Sequence, residues 1–398
     1  MKRIFFYFTH KESLGHSIRT ISIAKILSKS ARVYVFNGGK KQQYLNIPKE
    51  LKWFDLPHPY YNKFNFKSST YKPRLYKQHI KQRIYFVKRL AEKIKPDIFI
   101  TEFFPFARAE CQFELIPLIK FLKSNGVKIF SSAGYPFIST ENTKILLKCF
   151  KLYDKILVHT PKKFGSEYRS EIKNLSLKRI YDLSFEIYNS KISYTGFILP
   201  YNSKITKSKS ELKKSIGATG KKLILVSRGG GVIGPKMISS TILSKQYLPD
   251  NYIFLIVAGP ASSKKELEVF KKIAKKVSSQ IKIETYLENF FNYLNACDLS
   301  ISQVGYNTSV QLMYLNKKSI LIPQVIRKTK RILEQSPEQL NRARALNKYL
   351  GAKILDYNQL SPKLIANVII KSIQSEQQYF IPRTLFANET DIIKQFLL

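Results

Sequence analysis

The sequence predicts an α/β protein made of two doubly wound, Rossmann-like domains, each with a parallel sheet. The chain has 398 residues, which is too many for one ordinary core, and 44% of them are hydrophobic. Short segments rich in Ile, Val and Phe alternate with helical patterns along both halves. Strands that are apolar along their whole length must be covered by helices on both faces, and parallel sheets have this property.

Six such segments are predicted strands of the first domain: residues 3–8, 32–36, 97–103, 127–132, 155–160 and 192–197. Six more are predicted for the second domain: residues 222–227, 252–259, 281–286, 298–303, 319–323 and 352–357. Residues 201–220 are polar and rich in lysine, so we predict a linker there. The expected organisation is therefore a domain over 1–200, the linker, a domain over 221–380 and a C-terminal helix over 381–398.

Two domains of this kind form a cleft at the carboxyl ends of their strands, where open α/β sheets bind ligands. In the first domain, the strand over 3–8 is followed by Gly15, which permits a tight turn, and by His16 at the start of a helix. The strand over 97–103 contains Glu102 near its end. Both residues are candidates for acid-base chemistry, and a purely structural role remains the alternative for each.

In the second domain, Gly229, Gly230 and Gly231 follow the first strand. Backbone amides in such a loop can approach a phosphate closely, although a plain tight turn is the alternative. The sequence lacks the Gly-Lys-Ser/Thr ending of a Walker loop. After the fourth strand, Gly305 allows a turn, and we expect Asn307 and Thr308 to cap a helix whose amino end favours an anion.

The chain carries 68 Lys and Arg against 27 Asp and Glu, a formal net charge of +41. This excess suggests contact with an anionic partner such as a nucleic acid, acidic lipid or phosphorylated substrate, but a composition bias without function would produce it as well. The three cysteines, Cys111, Cys149 and Cys297, lack metal-ligand spacing and are expected to be reduced and buried. No segment is apolar over the length of a signal peptide or a spanning helix, so we expect a cytoplasmic protein.

Basic and aromatic residues are interleaved over residues 56–91. The stretch has nine Lys or Arg, eight Phe or Tyr and no acidic residue. This composition suits an anionic membrane interface, a lipid pyrophosphate or single-stranded nucleic acid, and an ordinary solvated face is the alternative. Peripheral association with the inner face of the plasma membrane therefore stays open.

Residues 296–323, ACDLSISQVGYNTSVQLMYLNKKSILIP, and residues 336–352, SPEQLNRARALNKYLGA, resemble the C-terminal domain of glycosyltransferase family 28. The segments LGHSIRTISIAKIL, PDIFITEFFPFARAE, YDKILVHTP, YTGF and VSRGGG occur in the order seen in a bacterial group of predicted glycosyltransferases related to the peptidoglycan N-acetylglucosaminyltransferase. The resemblance covers residues 1 to about 355. It implies the GT-B fold, with two domains facing across a cleft, the acceptor bound by the first and a nucleotide-sugar by the second.

The resemblance also implies the roles of individual residues. Gln311 stands where the family usually has the Glu that binds the ribose, no Arg follows Thr195 and Gly196, and residues 131–136 replace an Arg-Asp pair. Arg228 beside the glycines could supply a phosphate-binding charge instead. The implied contacts are Tyr286 and Leu287 with the base, Gly229, Gly230, Gly231, Asn307 and Thr308 with the phosphates, Gln311 with the ribose, and Glu338 and Gln339 with the transferred sugar.

We therefore expect an inverting hexosyltransferase that moves a sugar from a nucleoside-diphosphate sugar, with UDP as the expected nucleotide, to a hydroxyl of a lipid-linked, saccharide or other anionic acceptor. No Asp-x-Asp occurs in the sequence, so neither a metal nor another cofactor is expected. His16 is the first choice as base because its pKa lies near neutrality, and Glu102 is the second. The alternatives are a nucleotide-sugar 2-epimerase on the same fold and a basic nucleic-acid-binding protein, although nucleic acid would leave the two loops unexplained.

Overall fold

The computed structural model describes residues 1–10, 14–41, 44–58, 73–134, 145, 148–149, 151–164, 182, 186, 188–230, 234–327, 333–335, 337–376 and 380–397. The chain divides into two compact units. Unit 1 comprises Met1–Ile198 and Thr384–Leu398, and unit 2 comprises Leu199–Arg383. The second unit is thus inserted, in sequence, into the first.

Unit 1 is built on a seven-stranded parallel sheet with the order β3-β2-β1-β4-β5-β6-β7. Its strands are β1 (Lys2–Phe8), β2 (Ala31–Asn37), β3 (Lys52–Asp55), β4 (Ile98–Glu102), β5 (Lys128–Ala133), β6 (Lys155–Val158) and β7 (Ile192–Tyr194). Among the described residues, the strands of this sheet are connected by α1 (Leu14–Leu27), α2 (Pro73–Ile94) and α3 (Gln112–Ser124).

Unit 2 is built on a six-stranded parallel sheet with the order β10-β9-β8-β11-β12-β15, and β13 and β14 form a separate antiparallel pair. The strands are β8 (Lys222–Ser227), β9 (Tyr252–Val257), β10 (Ile281–Glu284), β11 (Leu299–Ser302), β12 (Ser319–Leu321), β13 (Val325–Arg327), β14 (Leu333–Gln335) and β15 (Lys353–Ile354). The helices are α4 (Lys209–Ser215), α5 (Pro235–Ser244), α6 (Lys264–Val277), α7 (Phe290–Ala296), α8 (Tyr306–Tyr314), α9 (Pro337–Leu350) and α10 (Pro362–Gln374).

The last helix, α11 (Glu389–Leu397), returns to unit 1. Lys2 Nζ donates to the carbonyl of Leu397, and Lys155 Nζ donates to the carbonyl of Gln395 over 2.6 Å. Before the helix, Phe386 bridges to Phe197 as a short parallel extension of unit 1. Residues 384–397 therefore complete the unit in which the chain begins.

The central strands of both sheets are buried along almost their whole length. In β1, residues 4–8 have at most 1% of their surface exposed, and in β8 residues 223–226 have none. Each strand can be apolar on both faces because helices pack on both sides of its sheet. The two-domain α/β fold predicted from the sequence is confirmed, and all twelve predicted strands are present. β3 and the pair β13–β14 were not predicted, because their sequences are short and partly polar.

The segment predicted as a linker, residues 201–220, lies in unit 2 and contains α4. This helix begins with a full capping box: Ser208 Oγ accepts from the amide of Glu211, and the Glu211 carboxylate accepts from the amide of Ser208 over 2.7 Å. The lysine-rich composition that indicated a linker is the composition of a short solvated helix.

Of the basic and aromatic stretch, residues 59–72 lie outside the described residues, and the rest falls largely in α2. Its members do not share one environment. Arg83 is buried, with Nε 2.9 Å from Glu114 Oε2 and Nη2 2.8 Å from the hydroxyl of Tyr7. Lys77 and Lys81 are exposed. Within its described residues, the stretch therefore contains exposed basic side chains and one buried arginine that forms a core ion pair.

The three cysteines are reduced and buried, as predicted. In the part of the chain that the structure describes, no helix is both long and apolar enough to cross a membrane.

Candidate functional site

The strand order of each unit reverses beside its first strand. In unit 1, β1 lies between β2 and β4, and in unit 2, β8 lies between β9 and β11. At such a reversal, the loops that follow two neighbouring strands run in opposite directions and leave a crevice between them. Doubly wound sheets bind ligands in this crevice. His16, Glu102, the glycine loop and Gly305 lie at the ends of these strands or directly after them.

In unit 1 the reversal brings His16 and Glu102 into contact. His16 lies in the first turn of α1, after β1, and Glu102 is the last residue of β4. His16 Nδ1 lies 2.8 Å from Oε1 and 3.0 Å from Oε2 of Glu102. The Glu102 side chain has no exposed surface, whereas the His16 side chain is 24% exposed. The two residues predicted as alternative bases therefore form one pair, with the imidazole on its accessible side.

Two arginines complete this cluster. Arg19, one turn beyond His16 on α1, donates from Nη2 to Glu102 Oε1, and its guanidinium lies 4.6 Å from the centre of the Phe103 ring. Arg108 Nη2 lies 2.8 Å from His16 Nε2. Both arginines stand within segments that carried the family resemblance, but only their distance from His16 and Glu102 in space reveals their place in the site.

The charges of the cluster fix the protonation of the pair. Burial, the largest effect, raises the pKa of Glu102, but His16 and Arg19 together outweigh it and hold that pKa at about 2. Burial lowers the pKa of His16, Glu102 opposes this, and Arg108 adds to it. At neutral pH the glutamate is ionised and the imidazole is neutral. The hydrogen-bond network assigns the imidazole proton to Nδ1, because Arg108 can only donate to Nε2.

Two further histidines lie near the cluster and are fully buried. Burial, followed by the charges of His16 and Arg108, lowers the pKa of His10 to about 4. Burial, followed by Arg19, lowers the pKa of His159 to about 3. The ring of His159 is held at both nitrogens, 2.7 Å from Ser132 Oγ and 3.0 Å from Thr195 Oγ1. His10 and His159 are therefore buried and uncharged neighbours of the cluster at neutral pH.

The first loop of the crevice in unit 2 follows β8. Gly229 has φ +66°, a conformation that glycine adopts without strain, and its amide lies 3.3 Å from Ser227 Oγ. Gly230 accepts a hydrogen bond from the amide of Ala261 over 2.9 Å, whereas Gly231 lies outside the described residues. Gly234, with φ +97°, precedes α5. It lies so close to Gln303 that an added Cβ would be 2.5 Å from Gln303 Nε2.

The second loop follows β11 and leads into α8. The N-cap residue is Gly305, which has no side chain to cap with, and the helix begins at Tyr306. The prediction that Asn307 and Thr308 cap this helix was therefore wrong: they lie inside its first turn. The helix amino end still points its first amides towards the crevice rim, where they favour an anion.

The amino end of α9 fixes the β11 loop. Gln339 Oε1 accepts from the amides of Val304, over 3.3 Å, and Gln324, over 2.8 Å, and so joins the loops after β11 and β12. Arg342, which sequence analysis missed, donates from Nη1 to the carbonyl of Val304 and from Nη2 to Glu338. The residues expected near the sugar, Glu338 and Gln339, are thus brought to the same loop as Gly305.

The remaining predicted donor contacts lie elsewhere in unit 2. Gln311 is buried on α8, and its Nε2 donates to Ser203 Oγ over 2.8 Å. Tyr286 and Leu287 follow β10 and are half-buried. Burial, with a smaller effect of neighbouring Tyr286, raises the pKa of Tyr201 to about 12. Tyr201 therefore lies near Tyr286, one of the residues that the family resemblance assigns to the base.

Arg228 does not face the glycine loop. Its side chain has no exposed surface, and Nη1 lies 2.9 Å from Glu266 Oε1, while Nε donates to the carbonyl of Ala258 over 2.6 Å. Nη2 donates to Ser262 Oγ over 2.8 Å. The arginine fastens the end of β8 to the start of α6, and a phosphate could reach it only if Glu266 gave way. This position of the guanidinium argues against the expected phosphate contact.

Among the described residues, no group of three or more His, Cys, Asp or Glu side chains is placed to hold a metal ion.

Comparison with known proteins agrees with this geometry. Residues 202–396 match the model of the glycosyltransferase family 28 C-terminal domain. The UDP-N-acetylglucosamine–N-acetylmuramyl-(pentapeptide) pyrophosphoryl-undecaprenol N-acetylglucosamine transferase of Alkaliphilus oremlandii is 33% identical over 104 residues. That match covers 26% of this chain and 27% of the relative, so the chain spans about a quarter of the curated relative's length.

Solved structures share the fold over nearly the whole chain. MurG of Acinetobacter baumannii has a TM-score of 0.56 at 11% identity, covering 99% of this chain and 94% of that one. A glycosyltransferase of Rickettsia africae has a TM-score of 0.59 at 14% identity, covering 99% and 94%. UGT2 of Phytolacca americana, solved with UDP-2-fluoro-glucose and pterostilbene, has a TM-score of 0.59 at 12% identity, covering 93% and 90%. The chain has the GT-B fold, and its residues 202–396 match the C-terminal domain of glycosyltransferase family 28.

Proposed function

We propose that the protein is a metal-independent, inverting glycosyltransferase that uses a UDP-linked sugar and an anionic acceptor. The observation that carries this proposal is the His16–Glu102 pair at the strand-order reversal of unit 1, with the imidazole partly accessible and neutral. A neutral imidazole whose other nitrogen is held by a carboxylate is suited to take a proton from a hydroxyl.

The reaction we propose is a single displacement at the anomeric carbon. The acceptor oxygen forms a bond to that carbon as the bond to the diphosphate oxygen breaks, and the electron pair leaves with UDP. The acceptor proton passes to His16 Nε2, and the Glu102 carboxylate stabilises the imidazolium. One displacement inverts the anomeric configuration. In unit 2, the amides at the start of α8 and in the glycine loop are suited to stabilise the departing diphosphate.

The donor assignment rests on likeness and on the loops of unit 2. The Alkaliphilus relative is named for UDP-N-acetylglucosamine, and the Phytolacca structure contains a UDP-sugar analogue. Gln311, in place of the usual Glu, would give the ribose a neutral and weaker contact. Metal independence rests on the absence of Asp-x-Asp from the sequence.

The test of the donor is thermal stabilisation by a panel of nucleotide-sugars, each measured with and without EDTA. A ligand at 100 times its dissociation constant adds about 2.7 kcal/mol to stability. We expect a UDP-sugar to stabilise the protein equally in both conditions. Stabilisation that disappears with EDTA would contradict metal independence, and a panel without any effect would contradict the donor. Release of UDP or of a new sugar at full rate without acceptor would indicate the epimerase instead.

The acceptor is proposed to be anionic and lipid-linked, as the undecaprenol-linked acceptor in the Alkaliphilus relative's name suggests. The face of α2 that carries Lys77, Lys81 and Arg89 is exposed and basic, and Tyr85 between them is 65% exposed. Such a face suits contact with acidic lipid, each basic residue near the surface contributing about 1 kcal/mol.

Replacing Lys77, Lys81 and Arg89 by Ser should therefore weaken cosedimentation with vesicles containing phosphatidylserine, and rising salt should release the parent protein. A matched control removes the same charge from the exposed face of α6 by replacing Lys271, Lys272 and Lys275 with Ser. Equal loss in both variants would mean that net charge alone causes binding, and no loss in either would make the α2 face an ordinary solvated surface.

A further inference from the structure

Arg108 covers the nitrogen that the proposed reaction needs. Its Nη2 lies 2.8 Å from His16 Nε2, and a guanidinium has only donors, so the imidazole lone pair accepts this hydrogen bond. While the bond persists, His16 has no lone pair to offer a hydroxyl. The base is therefore assembled with Glu102 but blocked by Arg108.

Arg108 is held less firmly than Arg19 and Arg83. Arg19 and Arg83 are buried, and each donates directly to a carboxylate with no exposed surface. The Arg108 side chain is 15% exposed, and its ion pair with Glu110 spans 3.9 Å, with Glu110 itself 32% exposed. A partly exposed guanidinium with so distant a carboxylate can exchange it for a stronger oxyanion partner.

The backbone places this side chain over the ring. Arg108 has φ +64° and ψ 42°, the left-handed region, at the end of the loop that follows β4. Glu102 is the last residue of β4 and lies on the buried side of His16. The loop that follows β4 brings Arg108 to the accessible side of the ring. The ring is thus held between an anion at Nδ1 and a cation at Nε2.

We propose that Arg108 recognises a phosphoryl oxyanion of the acceptor and that this pairing uncovers His16 Nε2. The inference rests on the proposed function and names the residue that couples acceptor binding to the base. Without acceptor, Arg108 keeps the lone pair occupied, so water is not activated and the donor is not hydrolysed. With acceptor, the guanidinium turns to the phosphoryl oxygens, and the acceptor hydroxyl takes its place at Nε2.

Nitrogen NMR of the histidine rings tests this without turnover. The chain has five histidines, so few signals overlap, and a His16→Gln variant assigns the signal of His16. Inorganic pyrophosphate is the free probe, farnesyl diphosphate is the lipid-borne one, and sodium chloride at equal ionic strength is the control. We expect both diphosphates to shift the Nε2 signal and to raise the pKa of His16, which Glu102, Arg19, Arg108 and His10 also influence.

Variants separate recognition from structure. Arg108→Ala should raise the pKa of His16 before any anion is added, because a cation beside the ring is removed, and should abolish the response to diphosphate. Arg108→Lys, which keeps the charge, should retain a weaker response, and Arg32→Ala, which removes an exposed arginine of β2, should behave as the parent does. A larger effect of farnesyl diphosphate than of pyrophosphate would assign the ligand to a lipid-borne acceptor.

A parent His16 signal that ignores both diphosphates would overturn the proposal, as would an equal response in Arg108→Ala. The parent measurement stands even if Arg108→Ala fails to fold. The experiment uses no donor, so an absent response would contradict the role of Arg108 but not glycosyl transfer. If the protein shows the response but binds no nucleotide-sugar, the proposed function is contradicted and the role of Arg108 is not.

Discussion

The same topological position holds opposite kinds of chemistry in the two units. At the strand-order reversal of unit 1, beside β1 and β4, an ionised glutamate, a neutral imidazole and two guanidinium groups lie in direct contact. At the reversal of unit 2, beside β8 and β11, the loops offer glycines, backbone amides and the uncharged side chain of Gln339. Among the charged residues of that region, Arg228 points away from the loop into the protein, and Arg342 is paired with Glu338.

This difference indicates that the two units have different tasks although they share one type of fold. Buried charges in contact adjust one another's pKa values, which suits a site that moves a proton. Backbone amides have a fixed direction and no titration, which suits a site that holds a charged leaving group through the reaction. Four experiments can break or sharpen the contrast.

The largest expected effect is on turnover. His16→Ala removes the proton acceptor while leaving the loops of unit 2 intact, so kcat should fall by about 10² to 10⁴. The dissociation constant of the donor, measured by calorimetry, should stay within about twofold. Near-parental turnover would mean that His16 only holds the loop in place. A parallel loss of donor affinity would mean that His16 also takes part in donor binding, so that the two units do not have separate tasks.

A second experiment concerns stability in unit 2. Glu266→Gln leaves the guanidinium of Arg228 buried without its carboxylate, which should lower the free energy of unfolding by about 3 kcal/mol. Glu268→Gln, on the exposed side of the same helix, is the matched control and should change stability little. If Arg228 instead binds phosphate, Glu266→Gln would free it and tighten donor binding without the loss of stability.

A third experiment uses pH. The pKa values of His10 and His159 lie at about 4 and about 3, below the ordinary 6.5, so the unfolded chain binds these protons first as pH falls. Their contribution to stability is complete above pH 6.5 and is lost below it, by about 1.4 kcal/mol per pH unit for each histidine.

Chemical denaturation between pH 6.5 and 5.5 measures this slope before most of the carboxylates titrate. His159→Gln should reduce the slope by about 1.4 kcal/mol per pH unit, because one proton fewer is taken up on unfolding. An unchanged slope would mean that His159 is protonated in the folded protein.

The smallest effect is expected at the loop clamp. Gln339→Ala removes the bridge between Val304 and Gln324, so we expect donor affinity to fall about tenfold, or about 1.4 kcal/mol, with kcat nearly unchanged. Arg344→Ala, on the exposed side of α9, serves as the control. A fall in kcat alone would place Gln339 at the transferred sugar, as the family resemblance implies.

Sequence patterns predicted twelve of the strands because an apolar strand covered on both faces has a composition that little else shares. They also selected His16 and Glu102, since each follows a strand. They could not show that the two touch, because 86 residues separate them in the chain. The same limit applies to Arg228: its neighbours in sequence are glycines, but its partner, Glu266, lies 38 residues away.

The return of α11 to unit 1 bears on how the protein is made. During synthesis, residues 384–397 leave the ribosome after all of unit 2, yet Lys2, Lys29 and Lys155 bind residues of that last segment. Unit 2 is continuous in sequence and can fold as soon as it emerges from the ribosome. Unit 1 cannot be completed until residues 384–397 have been made. A truncation after Arg383 should therefore harm the earliest part of the chain to be translated, and leave the most recently translated unit whole.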